Sequence, residues 1–158
     1  MENCAVSDVN GQDILYIPLI DDIEIDTQAS IDYENRKMYY DEFTKQEIRK
    51  ITIDNYVEIN DVSKIDYLKI DTEGNDERVI KGALKSISEF KPVIFCEDME
   101  SKQTLDKLYE LDYSRFLLGK SNKLVGYSGD KPDNVFNDLV IFIPKGSIHI
   151  FGEYLVNM

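Results

Sequence analysis

Apolar residues in the second half of the chain recur in two alternating rhythms. Tyr67–Asp71, Pro92–Glu97, Tyr113–Leu118 and Asp138–Ile143 are short apolar runs that read as strands. Between the first two, Val79, Ile80, Ala83, Leu84 and Ile87 fall at helical spacing. That spacing predicts a helix over Asp76–Ile87, with Asp76 and Glu77 in the first turn, where the helix dipole favours acids. Ser101 is placed to cap a further helix through Leu105, Leu108 and Leu111. A loop rich in Gly, Asn, Ser and Asp, around Gly126 to Asn134, separates the last two strands. Strands alternating with helices of this length predict an α/β fold, its parallel sheet covered on both faces.

The first half is less regular. Asn10-Gly11 precedes the strand-like Ile14–Pro18, a hairpin signal. Asp21 to Glu47 is polar, carries Tyr33, Tyr39 and Tyr40, and has room for a strand and a short helix; residues 20–50 read as a polar insertion or hairpin. Ile51–Ile53 reads as a brief strand running into Asp54, a residue suited to cap the helical turn Tyr56–Ile59.

Composition narrows the function classes. The 158 residues suit a single domain with a real core. A net charge of −13 leaves no basic face for nucleic acid or anionic lipid. Cys4 and Cys96 lie in apolar runs and read as buried thiols of a reducing compartment rather than a disulfide. The amino terminus lacks the pattern of a signal peptide, and no run approaches the roughly 20 apolar residues that span a bilayer. A cytoplasmic protein is the expectation.

The chemistry concentrates in Ile65–Gly74, an apolar strand ending in two acids and a glycine. Period-two alternation puts Tyr67, Lys69 and Asp71 on one side and Leu68 and Ile70 on the other, with Glu73 and Gly74 in the turn that follows. If this strand and Pro92–Glu97 are parallel neighbours, their carboxyl ends bring Asp71, Glu73 and Glu97 together, with Lys69 one layer below. Such a cluster can orient a hydroxyl, act as a general base or hold a divalent cation. The same residues also read structurally, as acids capping the next helix with Lys69 paired to Asp66 or Asp71. His149 reads as an ordinary strand histidine, and Tyr33, Tyr39 and Tyr40 as packing or surface residues rather than a substrate platform. No nucleophile elbow, zinc spacing or phosphate loop occurs.

Several segments carry a family resemblance. Ala5-Val6-Ser7-Asp8 with Gly11 and Leu15–Pro18, then Thr52-Ile53-Asp54, Lys69–Gly74, Val79–Ala83 and Pro92–Glu97 resemble, in this order, the FkbM-type methyltransferases. The resemblance implies a class I, Rossmann-like methyltransferase sheet, mostly parallel with an antiparallel final strand, in which Ile65–Asp71 is the fourth strand. It implies methyl transfer from S-adenosylmethionine to a hydroxyl of a sugar or secondary metabolite, so that the partner is a small-molecule or glycan acceptor. By the same resemblance Asp71, Glu73, Lys69 and Glu97 are the catalytic candidates, Ala5 and Asp71 the cofactor-binding ones, and no metal is called for.

The chain departs from that family in one respect. Its eight glycines, at 11, 74, 82, 119, 126, 129, 146 and 152, include no glycine-rich strand-to-helix turn near the start. It therefore looks like the carboxyl-terminal portion of a methyltransferase. Ile65–Asp71 is then expected at a sheet edge, which invites self-association, pairing with a separate amino-terminal half, or covering by Asp21–Glu47. The alternatives are a non-catalytic remnant serving as a binding or assembly module, and an unrelated α/β carbohydrate-modifying protein with a carboxylate-bound metal.

Overall fold

The computed structural model describes residues 2–97, 101–127, 132 and 135–156, and of residues 136–138 the backbone alone. The expected loop from Gly126 to Asn134 lies mostly outside the described residues. The chain forms two compact units, Met1–Ser63 with Asp71–Ser86, and Lys64–Ile70 with Ile87–Met158.

The first unit is built on a long antiparallel ribbon. Strands β2 (Gly11–Ile20) and β4 (Glu42–Ile51) pair in register from Gly11 opposite Lys50 to Leu19 opposite Glu42. The short β3 (Ile23–Glu24) doubles back on β2 through Asp21 and Asp22, both at left-handed φ, which matches the twist a two-residue hairpin needs. On the other side of β4 runs the parallel β1 (Ala5–Val6), so the order is β1-β4-β2-β3. Asn10-Gly11 therefore does not join neighbouring strands, because β4 lies between β1 and β2. Asn10 instead accepts a hydrogen bond from Thr52 N at 2.8 Å. The polar stretch after β3 holds a 3-10 turn (Asp26–Gln28) and α1 (Tyr33–Arg36), whose N-cap Asp32 accepts from Asn35 N at 3.0 Å.

Two local expectations change here. Ile51 ends β4, and Thr52 rather than Asp54 caps α2 (Ile53–Ile59), accepting from Asn55 N at 3.0 Å. Asp54 serves a different helix. Its Oδ1 accepts from Ser86 N and Oγ, both at 2.7 Å, and its Oδ2 from Lys85 N at 3.1 Å, capping the first turn of α4 (Leu84–Phe90). The single helix expected over Asp76–Ile87 is in fact α3 (Asp76–Lys81) followed by α4. The break falls at Gly82, where a Cβ would collide with the Ser7 carbonyl oxygen.

In the second unit the sheet comprises β5 (Tyr67–Ile70), β6 (Val93–Cys96), β7 (Tyr113–Gly119), β8 (Leu124–Gly126) and β9 (Val135–Pro144), in the order β5-β6-β9-β7-β8. Here β5 is an edge strand, parallel to β6. The final strand β9 runs antiparallel to both β6 and β7, and β8 antiparallel to β7. The expectation of mostly parallel sheets is thus corrected. Among the named strands only β1 with β4 and β5 with β6 pair in parallel. For β7 and β8 the physical reason is connection length: the two are joined by a tight turn closed by Gly119 N donating to Lys123 O at 2.7 Å, which reverses the chain.

A core of Phe116, Leu124, Ile141 and Ile143 is covered by Ile148, Phe151 and Leu155. Ile148 and Phe151 belong to a 3-10 run over Lys145–Tyr154. His149 therefore lies in that run rather than in a strand. The amphipathic α5 (Lys102–Glu110) buries Leu108 and Thr104. Tyr113 OH donates to the Pro92 carbonyl at 2.8 Å, and burial pushes the phenol above its ordinary 10.0. Neither cysteine forms a disulfide; Cys96 is buried, while Cys4 is only half-buried. Among the described residues no helix is long and apolar enough to cross a membrane.

Candidate functional site

Asp71 follows β5 directly and is exposed. The chain then turns sharply. Thr72 N donates to Asp76 Oδ1 at 2.9 Å, and Thr72 Oγ1 bonds the same oxygen, folding the loop back onto the start of α3. Inside that closure Glu73 and Gly74 take φ of +52° and +96°. Glycine is required at 74 on two counts, for its φ and because a Cβ would sit 2.7 Å from Asn35 Cγ. Asn75 is buried and donates through Nδ2 to the Val6 carbonyl at 2.7 Å, fastening the loop to β1. Its Oδ1 has no hydrogen-bond partner among the described residues.

The Glu73 carboxylate is held at both oxygens. Gln28 Nε2 donates to Oε1 and Arg36 Nη1 to Oε2, each at 2.9 Å. Arg36 is only 6% exposed. Its Nη1 also bonds Gln28 Oε1 at 3.1 Å, and its Nε and Nη2 bond Asn35 Oδ1 at 3.1 and 2.6 Å. Ser30 Oγ donates to the Thr72 carbonyl at 3.3 Å. The polar segment 28–40 thus grips the acid loop from Thr72 to Gly74. Charge-assisted bonds of this kind are strong. Glu73 is built as an anchor, whereas Asp71 faces solvent.

Sequence reasoning did not find Gln28, Asn35 or Arg36. The available signal was slight: Arg36 is the only arginine of the acid-rich stretch from 21 to 47.

The other candidates belong to, or directly follow, strands β1, β5 and β6. Lys69 sits on β5 in register with Phe95; Ile70 faces Cys96, and Glu97 follows one residue later. Both Lys69 and Glu97 are exposed and belong to the second unit, whereas Asp71 and Glu73 belong to the first. Ala5 is half-buried on β1 opposite Lys50. A cavity of about 240 Å³ in the first unit is lined by Glu2, Cys4, Val6, Ile51, Thr52, Ile53 and Tyr56, and Ala5 is not among them. Among the described residues no three His, Cys, Asp or Glu side chains gather as a metal site.

The implied S-adenosylmethionine can be tested against these residues. Backbone cradles for such a donor need glycines with open space in front of them. Gly74 is filled by Asn35 and Gly82 by the Ser7 carbonyl. The residues around Glu73 therefore do not fit the donor, and no step through it is assigned to them.

No curated protein and no solved structure matches the chain. The model of the methyltransferase FkbM domain matches residues 1–121 of the 158. That span takes in β5, β6, the acid loop and the segment that grips it. On this match, the chain belongs to the FkbM methyltransferase family.

Proposed function

We propose that this chain forms the acceptor side of an S-adenosylmethionine-dependent O-methyltransferase acting on a hydroxyl of a sugar or secondary metabolite. The observation that carries the reading is the left-handed Glu73–Gly74 turn, locked by Arg36 and Gln28, directly after the exposed Asp71. Methyl transfer demands an in-line approach of the acceptor oxygen, so a rigid loop beside it is of direct use. Asp71 accepts the proton of the acceptor hydroxyl as general base. Glu73 keeps the loop in place. Two cysteines outside any disulfide, Cys4 and Cys96, fit a cytosolic setting.

Calorimetric titration of S-adenosylmethionine, followed by methyl transfer to a panel of hydroxylated acceptors, tests the proposal. Asp71→Asn is expected to lower turnover by about 100-fold or more. No methyl transfer to any acceptor of the panel, or full activity in the Asp71→Asn protein, would sink it. A second reading draws on β5 standing at a sheet edge, which suits an assembly module that takes up a strand from another chain. Sedimentation showing a monomer at all concentrations argues against self-association of this kind.

A further inference from the structure

The segment that grips Glu73 contains three tyrosines, and two are used in packing. The Tyr33 ring lies 4.7 Å from Tyr16 and 5.6 Å from Phe43. Tyr40 sits 6.5 Å from Phe43 and donates its hydroxyl to Gln28 Oε1 at 3.4 Å. Tyr39 differs. It is 68% exposed, next to Met38 at 67%. Its position is nevertheless set, because the Arg36 guanidinium lies over the ring at 5.4 Å from the centroid. Tyr39 N and Tyr40 N both donate to the Arg36 carbonyl, at 3.0 and 3.1 Å, which fixes the turn. One buried cation therefore holds both Glu73 and the exposed ring. A ring fixed in advance loses little freedom when something binds to it.

We propose that Tyr39, with Met38 at its rim, is the stacking platform for the acceptor, and that the acceptor is an electrically neutral hydroxylated ring such as a glycoside. The inference rests on the acceptor-side reading above. The exposed π face suits the C–H edge of a saturated ring, which a flat aromatic binds without needing charge. Local charge decides against a phosphate-bearing acceptor. Arg36 is neutralised by Glu73, and Lys37 by Glu34 at 2.5 Å. Lys45 lies over Tyr16, on the neighbouring ring cluster. Asp32, Asp41 and Glu42 flank the segment in a chain of net charge −13. An anionic acceptor meets repulsion there that salt screens only beyond about 8 Å.

The test is a nuclear magnetic resonance titration reading the Tyr39 ring and the Met38 methyl. The probes are methyl glycosides of glucose, galactose, mannose and rhamnose, with glucose 1-phosphate and uridine diphosphoglucose as anionic counterparts. At least one neutral glycoside is expected to give saturable shifts at both residues and to bind about tenfold more tightly than either phosphate. Tyr39→Phe should keep affinity within about twofold, and Tyr39→Ala should weaken it about tenfold or more. Tyr39 is exposed, so melting should barely move. Absence of these shifts for every neutral probe, persistence of the Met38 shift in Tyr39→Ala, or tighter binding of a phosphate overturns the proposal. The methyl-transfer assay with S-adenosylmethionine separates the two readings. Glycoside binding at Tyr39 without methyl transfer to any acceptor keeps the platform and removes the methyl-transfer reading. Methyl transfer with a silent Tyr39 removes the platform alone.

Discussion

Arg36 Nη1 meets Glu73 Oε2 at 2.9 Å across 37 residues of chain, with the arginine side chain 7% and the glutamate 20% exposed. Removing one member leaves a desolvated charge behind. Arg36→Met is expected to cost about 3 kcal/mol, read from the urea midpoint. Glu73→Gln should cost less, because Gln28 and Arg36 retain a partner. Combining the two should be clearly less than additive, the signature of a direct pair.

Asp54 caps α4 through three hydrogen bonds to Lys85 and Ser86. Asp54→Ala is expected to destabilise by about 1–2 kcal/mol, and Asp54→Asn by much less. Amide exchange at Lys85 and Ser86 checks the cause, since both should speed up in the alanine variant alone.

Gly82 is pressed against the Ser7 carbonyl, whereas Gly146 has nothing within 4 Å of its notional Cβ. Gly82→Ala should therefore cost about 3 kcal/mol by overpacking. Gly146→Ala should stay within about 0.5 kcal/mol. Equal melting temperatures for the two would show that the Ser7–Gly82 contact yields easily.

Asp13 couples stability to acidity. Burial pulls its carboxyl up, but hydrogen bonds from Lys50 Nζ at 2.6 Å and Ile14 N at 2.9 Å, with the charges of Lys50 and Arg78, outweigh it. The folded-state value lies below the ordinary 3.8. The unfolded chain therefore takes the proton first as acid is added. The stabilisation is fully present above the ordinary value and is lost as pH falls through the folded-state value. Melting scans from about pH 5 to 2.5 should show this limb in the parent, flattened in Asp13→Asn.

What could be read from the residues alone follows from the range of the forces involved. β5, β6, β7 and β9 announce themselves because their apolar runs are local. The seam Val79, Ile80, Ala83, Leu84 and Ile87 does too, yet the break at Gly82, where the Ser7 carbonyl leaves no room for a Cβ, does not. β4 was hidden because its sequence, EFTKQEIRKI, is mostly polar and half-exposed, so it looks like a loop until β2 is laid beside it. The antiparallel place of β9 between β6 and β7 is a matter of topology, to which no local pattern speaks. Asp71 and Glu73 were visible as charges ending an apolar strand. Their surroundings were not, since Gln28 and Arg36 come from a segment whose own pattern is weak. Asp54 was recognised as a capping residue but for the wrong helix.

The fastening of the acid loop also bears on how the chain assembles in time. Asn75 reaches Val6 over 69 residues, Gln28 reaches Glu73 over 45, and Arg36 reaches it over 37. Closing loops of that length is slow and rewards the chain only once the β2–β4 ribbon is already in place. Stopped-flow measurements on Arg36→Met should accordingly show faster unfolding with nearly unchanged folding, a φ-value near zero. The loop that carries Asp71's neighbours is then the last part of this unit to form and the first to open.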